Sequence, residues 1–120
     1  VEACLDGSLG DLDVAWHDGS AATVVAGIKG YPGSYDKGFA ITGTDDADSR
    51  EGVTVFHAGT TLDDEGVLRT SGGRVLCVVG LGDSVSLARD TAYDRVSGVE
   101  WEDVYYRHDI GHRAIAREEA

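Results

Sequence analysis

Between Lys29 and Gly38 the chain reads Lys-Gly-Tyr-Pro-Gly-Ser-Tyr-Asp-Lys-Gly, a stretch that holds its only proline and three of its 17 glycines. Proline fixes φ and has no amide to donate, while glycine supplies the backbone angles other residues avoid, so these ten residues form a loop and little else. Whatever precedes the loop must end near Ile28, and whatever follows must start near Phe39. The remaining glycines divide the chain in the same way. His57-Ala-Gly-Thr60, Asp63-Asp-Glu-Gly66 and Ser71-Gly-Gly-Arg74 separate short apolar segments, as expected of β-strands joined by turns.

Leu12, Val14 and Trp16 alternate with polar residues ahead of Asp18-Gly19, and Ala21 to Ile28 is nearly all apolar. These predict a hairpin whose second strand is covered on both faces. Strands are also expected over Phe39 to Thr42, Val53 to His57, Val67 to Thr70 and Arg74 to Val79. They would form an antiparallel meander, with the acidic stretch Asp45 to Glu51 as a solvated loop. The period then changes. Asp83 can cap a helix in which Val85, Ala88, Ala92 and Val96 recur at helical spacing, and Gly98 offers a stop. Trp101 to Arg107 predicts a last strand, followed by a polar tail anchored by Ile110 and Ile115. The fold class is therefore α+β: an antiparallel sheet with one main helix. Residues 1–10 are expected to be the tail of a preceding segment and 11–120 the folded domain. Val1 to Leu5 read as a cut inside a longer chain.

With 22 acidic against 10 basic residues, the formal net charge is −12. Such a field repels phosphate backbones, which argues against nucleic acid as a partner. Many aspartates with only Lys29 and Lys37 as lysines suggest a protein kept soluble in high salt, a halophile-like composition. No apolar run approaches the ~20 residues that cross a bilayer, and a cytoplasmic setting is expected. Cys4 and Cys77 are expected to be free thiols, Cys77 behaving as a small hydrophobe.

Several arrangements that could carry chemistry are incomplete. Gly80-Leu81-Gly82 sits where a dinucleotide-binding turn would lie, but Val85 stands in place of the third glycine and Asp83 would repel a pyrophosphate. It is read as a plain strand-to-helix turn. His108 and His112 have metal-site spacing, but Gly111 weakens a helix there and no third ligand is in register, so no metal is assigned. Ser34 and Ser71 lack a nucleophile elbow and a base, and no catalytic residue is assigned. What remains is the set of glycine-dense turns, which carry both lysines, His57 and Arg74. They fit either demanding hairpins or an anion-facing edge where backbone amides approach a ligand closely. His57 reads either as a packed hydrogen-bonding residue or as a functional one.

In order and spacing, Gly30-Tyr-Pro-Gly-Ser-Tyr-Asp-Lys-Gly38, Ile41-Thr-Gly43, Val55-Phe-His-Ala-Gly-Thr60, Gly72-Gly-Arg-Val-Leu76, Leu81-Gly-Asp83, Ala88 to Tyr93, Tyr106-Arg-His-Asp-Ile-Gly111 and Arg113-Ala114 resemble the C-terminal domain of phosphoribosylamine-glycine ligase. The resemblance implies the rudimentary single-hybrid type of C-terminal domain found in ATP-grasp enzymes, a small barrel-like antiparallel sheet with one main helix. It also implies an enzyme that uses ATP and Mg²⁺, both bound by domains absent from this chain, to join glycine to phosphoribosylamine in purine biosynthesis. The chain alone would bind no cofactor. Its partners would be the N-terminal and ATP-grasp domains of the same polypeptide, with no membrane or nucleic acid involved. The residues implied to face substrate are Gly30, Tyr31, Pro32, Gly33, Lys37, Gly38, His57, Gly59 and Thr60, with Arg74 and Arg107 weaker candidates, since either could equally pair with an acidic neighbour. Gly27-Ile28-Lys29 departs from the small residues usual in that family before the Tyr-Pro pair. The rival readings are a carrier-like module, which would need a modifiable lysine at a hairpin tip and commonly a flanking methionine, and a free-standing acidic interaction domain.

Overall fold

The structure, a computed structural model, describes all 120 residues. Its main sheet has four antiparallel strands in the order β2-β5-β1-β6, where β1 is Ser20–Ile28, β2 Val53–His57, β5 Arg74–Gly82 and β6 Val104–Tyr105. A separate two-stranded sheet pairs β3 (Thr60–Leu62) with β4 (Leu68–Thr70). The helices are α1 (Glu2–Leu5), α2 (Thr44–Asp48), α3 (Val85–Val96) and α4 (His112–Glu118). The α+β class expected from the sequence is the class observed.

Each strand of the central pair is nine residues long, and Val24, Ala26, Val75, Leu76 and Val78 are buried between them and α3. The helix lies very close to the sheet because the residues at the contact are small. A Cβ on Gly80 would stand 2.5 Å from both Ala88 O and Ala92 N, and one on Gly82 2.5 Å from Ala88 N. Gly80-Leu81-Gly82 is thus the end of β5 rather than a turn, and its glycines admit the backbone of α3. Ser84, not Asp83, caps that helix: its hydroxyl accepts the Leu87 amide at 3.1 Å. Ala88, Ala92 and Val96 are the buried stripe.

Six further expectations are corrected. Residues 12–18 form no strand, and Leu12, Val14 and Trp16 are exposed, Trp16 by 88%. Strand β1 is covered on one face only, its burial alternating along its length. The acidic stretch contains α2, which buries Ala47 and aims Asp48 Oδ1 at the Val55 amide (2.7 Å), so it is partly structural. The strands do not form a meander: β2 pairs with β5, and the β3–β4 hairpin between them folds away as its own sheet. Asp63 ties that hairpin. It accepts from the Glu65 and Val67 amides and from Arg69 Nε at 2.7 Å, and the Arg69 hydrogen bond holds its carboxyl below the usual range. Phe39 to Thr42 makes only isolated bridges, Ala40 to Arg69 and Thr42 to Glu100, and the expected strand from Trp101 to Arg107 shortens to β6. The tail contains α4, anchored by Ile115 as expected.

Candidate functional site at the glycine-turn end of the sheet

Three glycine-dense turns far apart in sequence meet at one end of the main sheet. A Cβ on Gly59 would stand 2.6 Å from Arg74 O and 2.8 Å from Gly72 Cα, and one on Gly73 would collide with the ring of Tyr31. The contact is closed by the Ser71 amide donating to Gly59 O (2.7 Å) and the Ile28 amide to Gly73 O (3.0 Å). Gly30 turns the incoming chain at φ +100°, where a side chain would be strained and would strike Ser34 O. The Tyr31–Pro32 peptide bond is cis, and Tyr31 and Tyr35 meet edge to face with centroids 6.1 Å apart.

Between these turns lies an open cleft of about 440 Å³ lined by Val25, Tyr31, Gly59, Gly73, Arg74 and Cys77, among others. Arg74 reaches it because of a β-bulge. The register of β1 and β5 shifts between Ala26 and Gly27, leaving Val75 without a partner, so Val75 and Leu76 are both buried. An unbroken alternation would have turned Arg74 toward the core face; the extra residue turns it outward. Five arginines pair with carboxylates, namely Arg50, Arg69, Arg89, Arg95 and Arg107. Arg74, Arg113 and Arg117 do not, and neither lysine does; of these, Arg74 is the one that lines the cleft. In a chain with more than twice as many acids as bases, an unpaired guanidinium between close-packed backbone turns is a donor set suited to an anion.

The cleft opens onto the bare face of the main sheet. Across that face run the rows Phe56–Cys77–Val25 and Thr54–Val79–Thr23, with Leu81–Ala21 beside them. Phe56, Leu81 and Val25 are 55%, 57% and 48% exposed. Cys77 is a free thiol, half-buried on this face rather than in the core. The alternation of β1 is the sequence signal that could have revealed the face, but it was hidden because the residues on both sides of the strand are apolar.

The structure does not gather all the residues singled out above. Tyr31, Gly59 and Arg74 share the cleft. His57 and Thr60 are held together at 3.0 Å (Nδ1 to Oγ1) but line a different opening of about 840 Å³ on the core side of β2, facing α2 and the β3–β4 hairpin. Lys37 lies beside the Tyr35 ring, 5.8 Å from its centroid. The Gly38 amide donates to Thr70 O (2.8 Å), and its carbonyl accepts from Arg69, which makes Gly38 part of the seam along β4. Gly30, Pro32 and Gly33 shape the loop without lining the cleft. Arg107 is spent on Asp109, with bonds of 3.0 and 2.8 Å that hold the Asp109 carboxyl below the usual range. His108 packs against Tyr93 and Tyr106, while His112 Nδ1 bonds to Asp109 O (2.8 Å), so the two histidines do not converge. No three His, Cys, Asp or Glu side chains are placed to hold a metal ion.

The family model described as phosphoribosylglycinamide synthetase, C domain, matches residues 21–113. The chain is 48% identical over 118 residues to the phosphoribosylamine-glycine ligase of Pseudomonas syringae pathovar tomato, covering 98% of this chain and 27% of that protein. It is 46% identical over 114 residues to the corresponding ligase of a Nostoc species, covering 94% of this chain and 27% of that one. The crystal structure of phosphoribosylamine-glycine ligase from Thermotoga maritima superposes with a TM-score of 0.73 at 36% identity, over 89% of this chain and 26% of that one. The chain thus spans about a quarter of the length of the curated relatives it matches. The superposition and the sequence match agree, and the chain belongs to the phosphoribosylglycinamide synthetase C-domain family.

Proposed function

We propose that this chain serves as the C-terminal domain of an ATP-dependent ligase that joins glycine to 5-phosphoribosylamine in purine biosynthesis, and that it lines and closes the phosphoribosylamine side of the cleft without supplying a catalytic group. The observation that carries this reading is the convergence of the glycine turns around Arg74, which has no carboxylate partner, beside a bare apolar face. A guanidinium fork matches a phosphate, and the glycines let a phosphorylated sugar approach the backbone. Gly30, Tyr31, Pro32, Gly33, Lys37 and Gly38 form the rim of this side. His57 and Thr60, on the opposite face of β2, support it from behind.

On this reading the N-terminal and ATP-grasp domains of the same polypeptide hold ATP and Mg²⁺, which supply the activation of glycine. No metal-binding group of side chains converges here, and Gly80 and Gly82 are filled by helix backbone instead of standing open to a phosphate. Residues 11–120 would be the folded unit and 1–10 the end of the segment before it. The bare sheet face disfavours a free-standing interaction domain, because a monomer rarely leaves so continuous an apolar surface in water. A cytoplasmic, high-salt setting fits the charge of −12 and the absence of any helix long and apolar enough to cross a membrane.

The role of Arg74 is tested by grafting this chain in place of the matching quarter of the Pseudomonas syringae ligase. Arg74→Ala is expected to raise KM for phosphoribosylamine about 10- to 100-fold, the cost of losing a hydrogen-bonded charge, while KM for glycine stays within about 2-fold. Equal effects on both substrates, or on neither, would contradict the assignment.

A further inference from the structure

Strand β1 is paired along its whole length on one edge and over two residues on the other. In β5 the odd-numbered residues bond toward β2: the Leu81 amide donates to Gly52 O, and Val75 O accepts from Ala58 and Gly59. Gly80, Val78 and Leu76 therefore face β1, where they meet Ala22, Val24 and Ala26. By the same alternation Ala21, Thr23 and Val25 direct their N–H and C=O groups away from β5. Strand β6 reaches only Gly27 and Ile28, and no backbone bond from outside the sheet reaches the three residues.

We propose that this edge accepts a strand from the part of the polypeptide lying outside these 120 residues, so that the main sheet continues across a domain boundary. The inference rests on the reading of the chain as one domain of a longer ligase. Proteins ordinarily blunt an open edge with charge, proline or a bulge. From Ser20 to Ala26 the sequence is Ser-Ala-Ala-Thr-Val-Val-Ala, with none of the chain's charged residues and not its proline. The only bulge lies beyond Ala26. The side chains of Ala21, Thr23 and Val25 also lie on the bare face, so an added strand would extend an apolar surface already shaped to be covered.

The occupant follows from length and charge. Relatives at 48% and 46% identity match this chain over only 27% of their length, so about three-quarters of such a polypeptide is available to supply the strand. A second copy is disfavoured, because each carries a net charge of −12 and two would repel at ordinary ionic strength. Residues 12–16 lead into β1 through Asp18-Gly19, yet they make no ladder with it.

Amide hydrogen exchange followed by NMR reads the edge directly. The 120-residue chain is measured alone at two concentrations, then with the preceding three-quarters of the Pseudomonas syringae ligase. Ala21, Thr23 and Val25 are expected to exchange fast in the chain alone and to slow by about 10-fold or more in the mixture, whereas Ala22 and Val24 are slow in both. Protection in the chain alone would overturn the proposal: if it rises with concentration the occupant is a second copy, and if it does not, the chain's own leading segment. No slowing in the mixture would overturn it as well. If the mixture releases ADP with glycine and phosphoribosylamine while the three amides stay fast, the edge inference fails and the ligase reading stands. Slow amides without ADP release would uphold the edge and remove the ligase reading.

Discussion

Replacing Gly80 with valine is expected to destabilise the domain by about 3 kcal/mol or more, a large fraction of the ~5–15 kcal/mol that holds such a domain together. Its Cβ would stand 2.5 Å from Ala88 O and Ala92 N, and both atoms belong to the backbone of α3. A flexible side chain could swing aside, but a helix held by Ala88, Ala92 and Val96 can yield only by lifting off the sheet. That movement would expose Val24, Val78 and their neighbours. The thermal midpoint should fall by roughly 10 °C or more, followed by circular dichroism. Gly10→Ala is the matched control, since nothing lies within 4 Å of a Cβ there, and it should change stability by no more than about 0.5 kcal/mol. A Gly80→Val midpoint within about 2 °C of the parent would mean that the helix does not lie where the glycines place it.

Gly59→Val is expected to act on the cleft more than on the fold. The added atoms would meet Arg74 O at 2.6 Å and the backbone of Gly72 at 2.8 and 2.9 Å, which pries apart the turns carrying His57 and Arg74. The Ser71 amide would lose its bond to Gly59 O. Strain of this kind costs about 1–3 kcal/mol, and the pairing of β1, β2 and β5 is left intact. A displacement of about 1 Å in a substrate-positioning group can cost on the order of 100-fold in rate, so the grafted enzyme should lose about that much activity while remaining folded at room temperature. Steady-state assays beside a thermal melt separate the two effects. Full activity with a lowered midpoint would remove the turn junction from the site.

These two glycines also show where the sequence could and could not be read. Gly80 and Gly82 read in the sequence as a turn between a strand and a helix, but they are the end of β5, and the helix backbone that requires them comes from residues several positions later. Nothing local distinguishes a glycine that frees a turn from one that admits a neighbour. The alternation of Leu12, Val14 and Trp16 has the period of a strand, and β1 beside it has an open edge, yet no ladder joins them. Their exposed side chains show that the pattern encodes a need for cover without specifying what provides it. Likewise Ala21 to Ile28 is apolar on both faces, which reads as a strand enclosed by its own domain. One face is instead left open beside Phe56 and Leu81.

The loop Lys29 to Gly38 was legible because proline and glycine act through their own backbone. The meeting of that loop with Gly59 and Gly73 was not legible in the sequence, since it depends on contacts between turns far apart along the chain. The split between Arg74 and His57 was not legible at all. It arises from the bulge at Val75, and a single extra residue in a ladder leaves no mark on composition or period.

The most direct test of the central claim is ADP release with glycine, phosphoribosylamine, ATP and Mg²⁺. The 120-residue chain is assayed alone, the preceding three-quarters of the Pseudomonas syringae ligase alone, and the two together. No release above background is predicted from the chain alone, little from the larger part, and turnover only when both are present or fused. Turnover by the 120 residues alone would contradict the claim, which assigns the chemistry to the remainder of the polypeptide.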